Sequence, residues 1–241
     1  MPAALALAIP VFAQSAPADL PDAPSANANA TLPKPEPVPD GPIIVIDTTM
    51  GRLTCKTFPT QAPLAVANFI GLAEGTKDWS DASNQKHHNQ RFYDGLIFHR
   101  VIPGFMVQSG DPAGDGTGDP GYYFPNETDP ALTFSVPGRL AMANSGPGPD
   151  GKGTNGSQFF ITEQANAELD GRYAIFGQCD AASVALAAAI ARVPRDANDK
   201  PLAPVTIRRV TIVRDGQPLP PPPVIPATPP SPAAALPSTH N

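Results

Sequence analysis

The chain has 241 residues and a formal net charge of -6 at pH 7, with 41% hydrophobic and 16% charged residues. This length can bury the core of one domain of ordinary size, and an acidic balance without a basic cluster excludes a nucleic-acid-binding protein. Proline is unevenly distributed, because 20 of the 33 prolines lie in residues 1–42 and 216–241. The two ends therefore differ in amino-acid composition from the middle of the chain.

The first residues are similar to a secretory signal. Residues 3–13 are apolar, and such a stretch is too short to span a bilayer but typical of the hydrophobic region of a signal peptide. Small residues at Ala13, Ser15 and Ala16 suit a cleavage site, although no basic residue precedes Lys34. We expect a periplasmic or secreted protein without a stable membrane span. The alternative is a cytoplasmic protein with an apolar tail.

Two proline-rich segments flank the middle region. Residues 14–42 are rich in Ala, Pro, Asp and Asn without an apolar period, and residues 216–241 include four consecutive prolines. Such compositions bury too little surface to offset the entropy of ordering, so they predict disordered linkers. The predicted division is a signal-like segment and linker at 1–42, one folded domain at 43–215 and a disordered tail at 216–241. A ligand for an SH3-type domain is the alternative role of the tail.

The folded region begins with a hairpin and a helix. The β-branched run from Ile43 to Asp47 and the alternating run from Arg52 to Thr57 are typical of paired strands. A helix is predicted next, because Pro63 suits its first position and apolar residues recur at helical spacing from Val66 to Ala73. Gly75 then provides a C-terminal stop.

The remaining elements are short strands and a second helix. The helix covers Ala181 to Arg192, with Asp180 as its N-cap. The strand candidates are Leu96 to Ile102, Phe105 to Ser109, Arg139 to Ala143, Ser157 to Ile161, Tyr173 to Gln178 and Val205 to Arg214. Short strands with glycine-rich turns and few helices indicate a mainly β fold, and the spacing leaves a closed barrel and a sandwich open.

The cysteines and three motif-like patterns do not indicate a metal, redox or cofactor site. Cys55 and Cys179 lack the spacing of a zinc site or a redox pair. They are either free core thiols, which we favour because cysteine is commonly buried, or one disulfide in an oxidising compartment. Gly116 to Gly121 matches a dinucleotide-binding loop by letter, but Pro120 interrupts it, and it lacks the closing glutamate of a calcium loop. The pair His87-His88 has no second ligand pair nearby, so we expect no metal site.

Two dense segments remain, in which bulky apolar residues stand beside a few polar groups. They run from Phe98 to Asp111 and from Ala141 to Ile161. Since side chains alternate along a strand, a strand beginning at Ser157 places Gln158 and Phe160 on one face.

Arg100 is the unusual residue of the first segment. The same alternation places Arg100 on one face with Phe98 and Ile102, where an unpaired guanidinium is costly. Arg100 is therefore either a rim arginine with a carboxylate partner or a donor aimed into an apolar cleft.

Together these segments closely resemble the cyclophilin-type peptidyl-prolyl cis-trans isomerases, over residues 43–215. The resemblance extends to three further motifs, which are Phe92 to Gly95, Gly114 to Gly118 and Leu169 to Gly177. It implies a closed, eight-stranded antiparallel β-barrel capped by two α-helices. It also implies an enzyme without a cofactor that accelerates rotation about Xaa-Pro bonds in folding polypeptides. Proline-containing polypeptides are then the partners, and we expect a monomer.

The resemblance also assigns roles by position. Arg100 resembles the catalytic arginine of the family. Four residues resemble the walls of the pocket that receives the proline ring, namely Phe105, Met106, Phe160 and Leu169. The residues that resemble those holding the substrate backbone are Gln108, Ala143, Asn144 and Gln158. Gly116 lies on a neighbouring loop, and Tyr173 stands where eukaryotic members have histidine and bacterial relatives commonly have tyrosine.

Some features depart from the family pattern. Glu168 stands where many eukaryotic members carry tryptophan, which predicts weak binding of cyclosporin. The segments 77–90 and 146–153 are longer than in the compact form of the family and are expected to affect substrate access. The alternative function is a proline-peptide-binding chaperone or scaffold with little turnover, and the retention of Arg100 and Phe160 weighs against it.

Overall fold

A computed structural model describes residues 35–148, 151 and 153–222. The predicted signal-like segment, most of the N-terminal linker and most of the C-terminal tail lie outside the described residues. The elements are β1 Ile43–Thr48, β2 Arg52–Thr57, α1 Pro63–Glu74, β3 Trp79–Ser80, β4 Lys86–His87, β5 Arg100–Ile102, β6 Met106–Ser109, β7 Arg139–Met142, β8 Phe159–Thr162, β9 Ile175–Cys179, α2 Ala181–Ala191 and β10 Ile207–Val213. One turn of 3-10 helix covers Ala167–Leu169.

Eight strands form one antiparallel sheet, in the order β10-β1-β2-β9-β7-β8-β6-β5. The mainly β prediction with two helices is therefore confirmed. Strands β10 and β5 stand at the two ends of this order, and no ladder joins them within the described residues. The segments that precede these two strands are linked by a bridge between Ile97 and Thr206. A hydrogen bond of 2.7 Å from the Ile207 N–H to the Leu96 carbonyl supports this link.

The main core lies against one face of the sheet and includes residues of both helices. Alternate strand residues point into it, among them Leu140 of β7 and Ile161 of β8. Phe69 of α1 lies among aromatic rings, with its ring centroid 4.5 Å from Tyr93 and 5.4 Å from Phe159. The helix and the sheet are thus joined by close-packed aromatic contacts.

Helix α1 has the predicted ends but an unpredicted cap. It begins at Pro63 and is followed by Gly75 in the left-handed region, with φ of 79°. No side chain at its N-cap accepts a hydrogen bond. Instead, the Glu127 carboxylate accepts the N–H groups of Leu64 at 3.1 Å and Ala65 at 2.8 Å. A loop far along the chain therefore satisfies amide donors that a helix start leaves unpaired.

Helix α2 confirms its predicted start. The Asp180 side chain accepts the Ser183 N–H at 2.8 Å, as an N-cap does. Ala187 and Ile190 of this helix are fully buried in the main core. Among the described residues, neither helix is long and apolar enough to cross a membrane.

A second, smaller hydrophobic cluster covers part of the opposite face of the sheet, and we call it the outer cluster. Phe160 of β8, Ala141 of β7 and Met106 of β6 belong to it. Their sequence neighbours Phe159 and Ile161 belong to the main core. Because side chains alternate, these strands are buried on both faces.

Two regions differ from the sequence prediction. The strand predicted from Leu96 is regular only over β5, because the preceding residues pair through an isolated bridge at Ile97. Residues 77–90 contain the small hairpin of β3 and β4, which the sequence pattern did not reveal. The Trp79 ring stacks on the His87 ring with 3.9 Å between centroids, and this contact stabilises the hairpin.

The two cysteines form a disulfide, so the preference for free thiols was wrong. The pairing register of β2 and β9 places Cys55 directly opposite Cys179. Side chains at opposed positions of adjacent strands are in contact, and both residues are buried, at 0% and 4% exposure. This proximity arises from the pairing of strands that are distant in sequence.

The disulfide is expected to stabilise the fold strongly, because its cysteines are 124 residues apart. Replacement of both by alanine should lower the free energy of unfolding by about 3 to 5 kcal/mol, since the bond restricts the unfolded chain. Urea denaturation followed by circular dichroism, with and without dithiothreitol, measures this change. Reductant should destabilise the wild type and leave the double variant unaffected. Equal midpoints for the two proteins in oxidising buffer would contradict the prediction.

Candidate active site

One row of side chains crosses the outer face of the sheet. The register pairs Arg100 of β5 with Gln108 of β6, Gln108 with Phe160 of β8, and Phe160 with Ala141 of β7. Directly opposed residues of antiparallel strands project to the same face. A guanidinium, an amide and an aromatic ring are therefore fixed side by side by strands that are distant in sequence.

A cavity of about 260 Å³ is lined by this row, and we call it the central cavity. The lining consists of residues that the sequence analysis predicted for the site: Arg100, Phe105, Met106, Gln108, Ala143, Asn144, Phe160, Leu169 and Tyr173. The structure thus brings most of the predicted site residues together in one place.

The apolar wall of the central cavity rests on the outer cluster. Phe160 is only 4% exposed. Its ring is stacked with Phe134 at 5.9 Å between centroids and meets Tyr173 edge to face at 5.3 Å. Met106 is buried beside it, and Leu169 is presented by the 3-10 turn. This wall is therefore held by packing and does not need a ligand to order it.

Arg100 is exposed and lines the central cavity. Within the described part of the chain it forms no ion pair with a carboxylate, so the alternative of a rim arginine with such a partner is not observed. The prediction that Phe98 shares its face was wrong. Phe98 belongs to the main core whereas Ile102 packs on the outer cluster, because regular alternation begins only at Arg100.

A chain of hydrogen bonds links the polar side of the central cavity to residues 114–118, which we call the glycine-rich loop. The Gln108 Nε2 donates to the Gln158 Oε1 at 2.9 Å. The Gln158 Nε2 donates in turn to the carbonyls of Gly116 at 3.0 Å and Gly118 at 2.9 Å. The Ala143 N–H donates to the Gln158 carbonyl at 2.9 Å. Gln158 therefore connects β6, the end of β7 and the glycine-rich loop.

Two further cavities adjoin the central one. Gly116 and Gln158, the other predicted site residues, line a cavity of about 220 Å³ that we call the first side cavity. Its lining shares with the central cavity the residues Gln108, Ala143 and Asn144. A second side cavity of about 510 Å³ shares Asn144 and Tyr173. A peptide longer than a dipeptide can therefore contact more than one cavity.

Asn144 is held by a network that the sequence analysis did not predict. Its Nδ2 lies 3.2 Å from the Asn155 Oδ1 and 3.3 Å from the Arg172 carbonyl. Its Oδ1 accepts the Gly146 N–H at 3.0 Å. Asn155 is fully buried and donates to the Pro125 carbonyl at 3.1 Å. A buried amide group must find hydrogen-bond partners. The signal for this network in the sequence was Asn155, an asparagine within the second dense segment.

The glycine-rich loop is organised by Asp111, which is 1% exposed. Its carboxylate accepts the N–H groups of Ala113 at 2.8 Å, Asp115 at 2.8 Å and Gly116 at 2.5 Å. At Gly118 any β-carbon would collide with this carboxylate. The glycines from Gly116 onward, which match a dinucleotide-binding loop in sequence, are thus explained by a turn that Asp111 holds in place.

The comparisons with known proteins agree with this geometry. The family model described as cyclophilin type peptidyl-prolyl cis-trans isomerase/CLD matches residues 43–212. Peptidyl-prolyl cis-trans isomerase A of Mycobacterium tuberculosis is 48% identical over 168 residues, which are 69% of this chain and 90% of the relative. Peptidyl-prolyl cis-trans isomerase B of Streptomyces anulatus is 44% identical over 169 residues, 69% of this chain and 94% of the relative. The chain belongs to the cyclophilin family.

A solved structure extends the likeness to the fold. A cyclophilin-type isomerase of Cryptosporidium parvum, crystallised in the presence of the dipeptide Ala-Pro, is 34% identical, with a TM-score of 0.57. The match covers 73% of this chain and 99% of that one. The predicted activity, peptidyl-prolyl cis-trans isomerisation, is confirmed by these relatives.

Of the departures from the family pattern, Tyr173 and the loop 146–153 border the cavities, whereas Glu168 and the segment 77–90 line none of the three. Glu168 is exposed on the 3-10 turn, and its N–H donates to the Asn166 side chain that caps this turn. Tyr173 lines both the central and the second side cavities. The loop 146–153 also borders the second side cavity through Gly146 and Gly151, and part of it lies outside the described residues.

His99 directly precedes Arg100 in the chain and is 4% exposed. Neither ring nitrogen has a hydrogen-bond partner among the described residues. Burial lowers the pKa of His99, as do Lys200 and Arg100, while the carboxylates of Asp111 and Asp115 act in the opposite direction. Since burial has the largest effect, the neutral imidazole is the favoured form in the folded protein.

His99 is expected to make stability depend on pH. Its pKa is lower in the folded than in the unfolded chain, so the unfolded chain binds more protons as the pH falls below about 6.5. The free energy of unfolding should therefore decrease from pH 7 to pH 5, and His99→Leu should reduce this slope. Urea titrations at the two pH values measure it.

The matched control is His88→Leu, because the His88 side chain is 59% exposed and its ion pair with Asp78, 62% exposed, is open to solvent and contributes little. This variant should keep the wild-type slope. A His99→Leu protein with an unchanged slope would show that other groups cause the pH dependence.

Proposed function

We propose that this cyclophilin accelerates rotation about Xaa-Pro bonds by non-covalent stabilisation of the twisted amide, with Arg100 as the hydrogen-bond donor. One observation carries the proposal. The Arg100 guanidinium and the buried Phe160 ring line the same cavity, and Arg100 has no carboxylate partner among the described residues. Its donors are therefore available to a substrate.

The reaction itself requires a donor only in the transition state. Amide conjugation creates a barrier of about 18–20 kcal/mol to rotation. When the bond is twisted, the nitrogen lone pair is no longer shared with the carbonyl and becomes a hydrogen-bond acceptor. A donor at that position binds the twisted form more strongly than either planar form, and this difference lowers the barrier. No covalent intermediate or proton transfer is needed.

The apolar and the polar residues of the site have separate tasks in this mechanism. Phe105, Met106, Phe160 and Leu169 hold the proline ring by apolar contact. Gln108, Ala143, Asn144 and Gln158 hold the flanking backbone, so that one side of the bond rotates against a fixed partner. The relative crystallised in the presence of Ala-Pro supports proline-containing polypeptides as the substrate class here.

Arg100→Ala tests this assignment. Loss of one preorganised donor is expected to lower kcat by about 100- to 1000-fold, while KM for a proline peptide changes less because the ring wall is intact. The rate is measured by NMR exchange between cis and trans peptide, which needs no coupling protease. Arg100→Lys is the matched variant, and it should recover only part of the rate because a point charge replaces a fork of donors. A folded Arg100→Ala protein with near-normal turnover would refute the role.

We also infer a closed barrel, a monomer and a folded domain at 43–215. Closure is supported by two backbone hydrogen bonds. The Gly95 N–H donates at 2.8 Å to the carbonyl of Ile207, the first residue of β10, and the Phe98 N–H donates at 2.9 Å to the Val205 carbonyl. The monomer is inferred from the resemblance to the family alone. Glu168, in place of tryptophan, supports weak cyclosporin binding.

Export to the periplasm or the exterior is likewise proposed, with the cytoplasm as the alternative. The apolar residues 3–13 support it, as does the Cys55–Cys179 disulfide, because such bonds persist in oxidising compartments. Fractionation of the source cells should place the protein outside the cytoplasm. Its cysteines should resist alkylation until reductant is added. Recovery in the cytoplasm with alkylated thiols would overturn the proposal.

A further inference from the structure

The first side cavity is lined by one negatively charged side chain. Among the described residues that line it, Asp119 alone is formally charged. The central cavity has Arg100 as its charged residue, and the second side cavity has Arg172. Of the three cavities, which meet at Asn144, only the first side cavity is lined by a carboxylate among the described residues. The exposed Asp115, on the loop that precedes Asp119, does not line the cavity and has Lys200 nearby, so the charge of the cavity rests on Asp119.

Asp119 is half-buried and its carboxylate is held in place. Its Oδ1 accepts the Gly121 N–H at 2.6 Å, and its Oδ2 accepts the Tyr123 hydroxyl at 2.9 Å. An ionised carboxylate offers about four acceptor sites. Each oxygen therefore retains capacity for a further donor, and its position does not depend on that donor.

The loop that carries Asp119 is supported from two sides. The Pro120 carbonyl accepts the Ser80 N–H at 2.9 Å, which attaches the loop to the hairpin of β3 and β4. On the other side, the Gln158 Nε2 holds the carbonyls of Gly116 and Gly118. The segment 77–90, which is longer than in the compact form of the family, thus supports the loop that lines the first side cavity. A site built before the ligand arrives loses less entropy on binding.

We propose that Asp119 determines substrate specificity, by selecting polypeptides that carry a lysine or arginine close to the isomerised proline. This inference rests on the proposed function, because it assumes that the proline ring occupies the central cavity. The first side cavity shares Gln108, Ala143 and Asn144 with the central one. A side chain near the proline on one side can therefore enter it, and the negative charge favours a cationic group while disfavouring an acidic one.

The size of the preference follows from the setting of Asp119. A partly exposed ion pair changes affinity by about fivefold at most, and the like-charge contact with an acidic peptide adds a penalty. We expect kcat/KM for a lysine peptide to exceed that for the matched glutamate peptide by about tenfold at low ionic strength. The preference should largely disappear in 1 M NaCl, where screening acts over about 3 Å.

The experiment compares short peptides that differ in one residue near the proline. Lysine, glutamine or glutamate is placed two residues before the proline in one series and two residues after it in another. NMR exchange gives kcat/KM for the wild type, Asp119→Asn and Asp119→Lys. Asp119→Asn keeps the shape and one acceptor oxygen, which guards against loss of the fold. The control Asp215→Asn removes an exposed carboxylate that lines none of the three cavities.

The expected result is a lysine preference in one series that Asp119→Asn abolishes, Asp119→Lys reverses and Asp215→Asn leaves intact. Equal rates for the lysine and glutamate peptides in both series would overturn the proposal, as would a preference that survives Asp119→Asn. The glutamine peptides separate this outcome from failure of the isomerase mechanism. Their turnover should be the same in the wild type and Asp215→Asn and should fall in Arg100→Ala, because a neutral side chain reports the isomerisation without the charge preference.

Discussion

The cross-strand register of β5, β6, β8 and β7 is the constraint on which the site depends. It aligns Arg100, Gln108 and Phe160 in one row on the outer face. The same register buries Phe159 and Ile161 on the inner face. A slip of one residue would exchange the two faces, so the main core and the site are specified by the same hydrogen-bonded ladder. Core packing thus protects the geometry of the cavity.

The loops add polar groups to this rigid row, and they are ordered by buried acceptors and donors rather than by apolar burial. Asp111 holds the turn that follows β6, Gln158 holds the carbonyls of the glycine-rich loop, and Asn155 holds Asn144. Each group is satisfied within the protein, which makes it a fixed element of the site. Donors and acceptors that are fixed before the substrate binds need no reorganisation during the reaction. Such a site suits a reaction whose only chemical demand is a change of shape.

Predictions from the sequence succeeded where their physical cause was local. Pro63, Gly75 and Asp180 mark helix ends through their own backbone preferences, and the structure has those ends. The prediction for Phe98 failed because strand alternation was extended across residues that are not regular strand. The cap supplied by Glu127 was not foreseen, since a carboxylate from a distant loop leaves no mark near the helix it caps.

The sequence by itself determined the mainly β class, both helices and, through its resemblance to the cyclophilins, the residues that meet at the central cavity. Only the tertiary structure decided that the two cysteines are bonded, that Arg100 lacks a carboxylate partner among the described residues, and that Asp119 lines a cavity adjoining the central one. The physical reason is that periodicity and caps act over a few residues. Disulfides, cavities and ion pairs depend on which distant strands and loops are brought together.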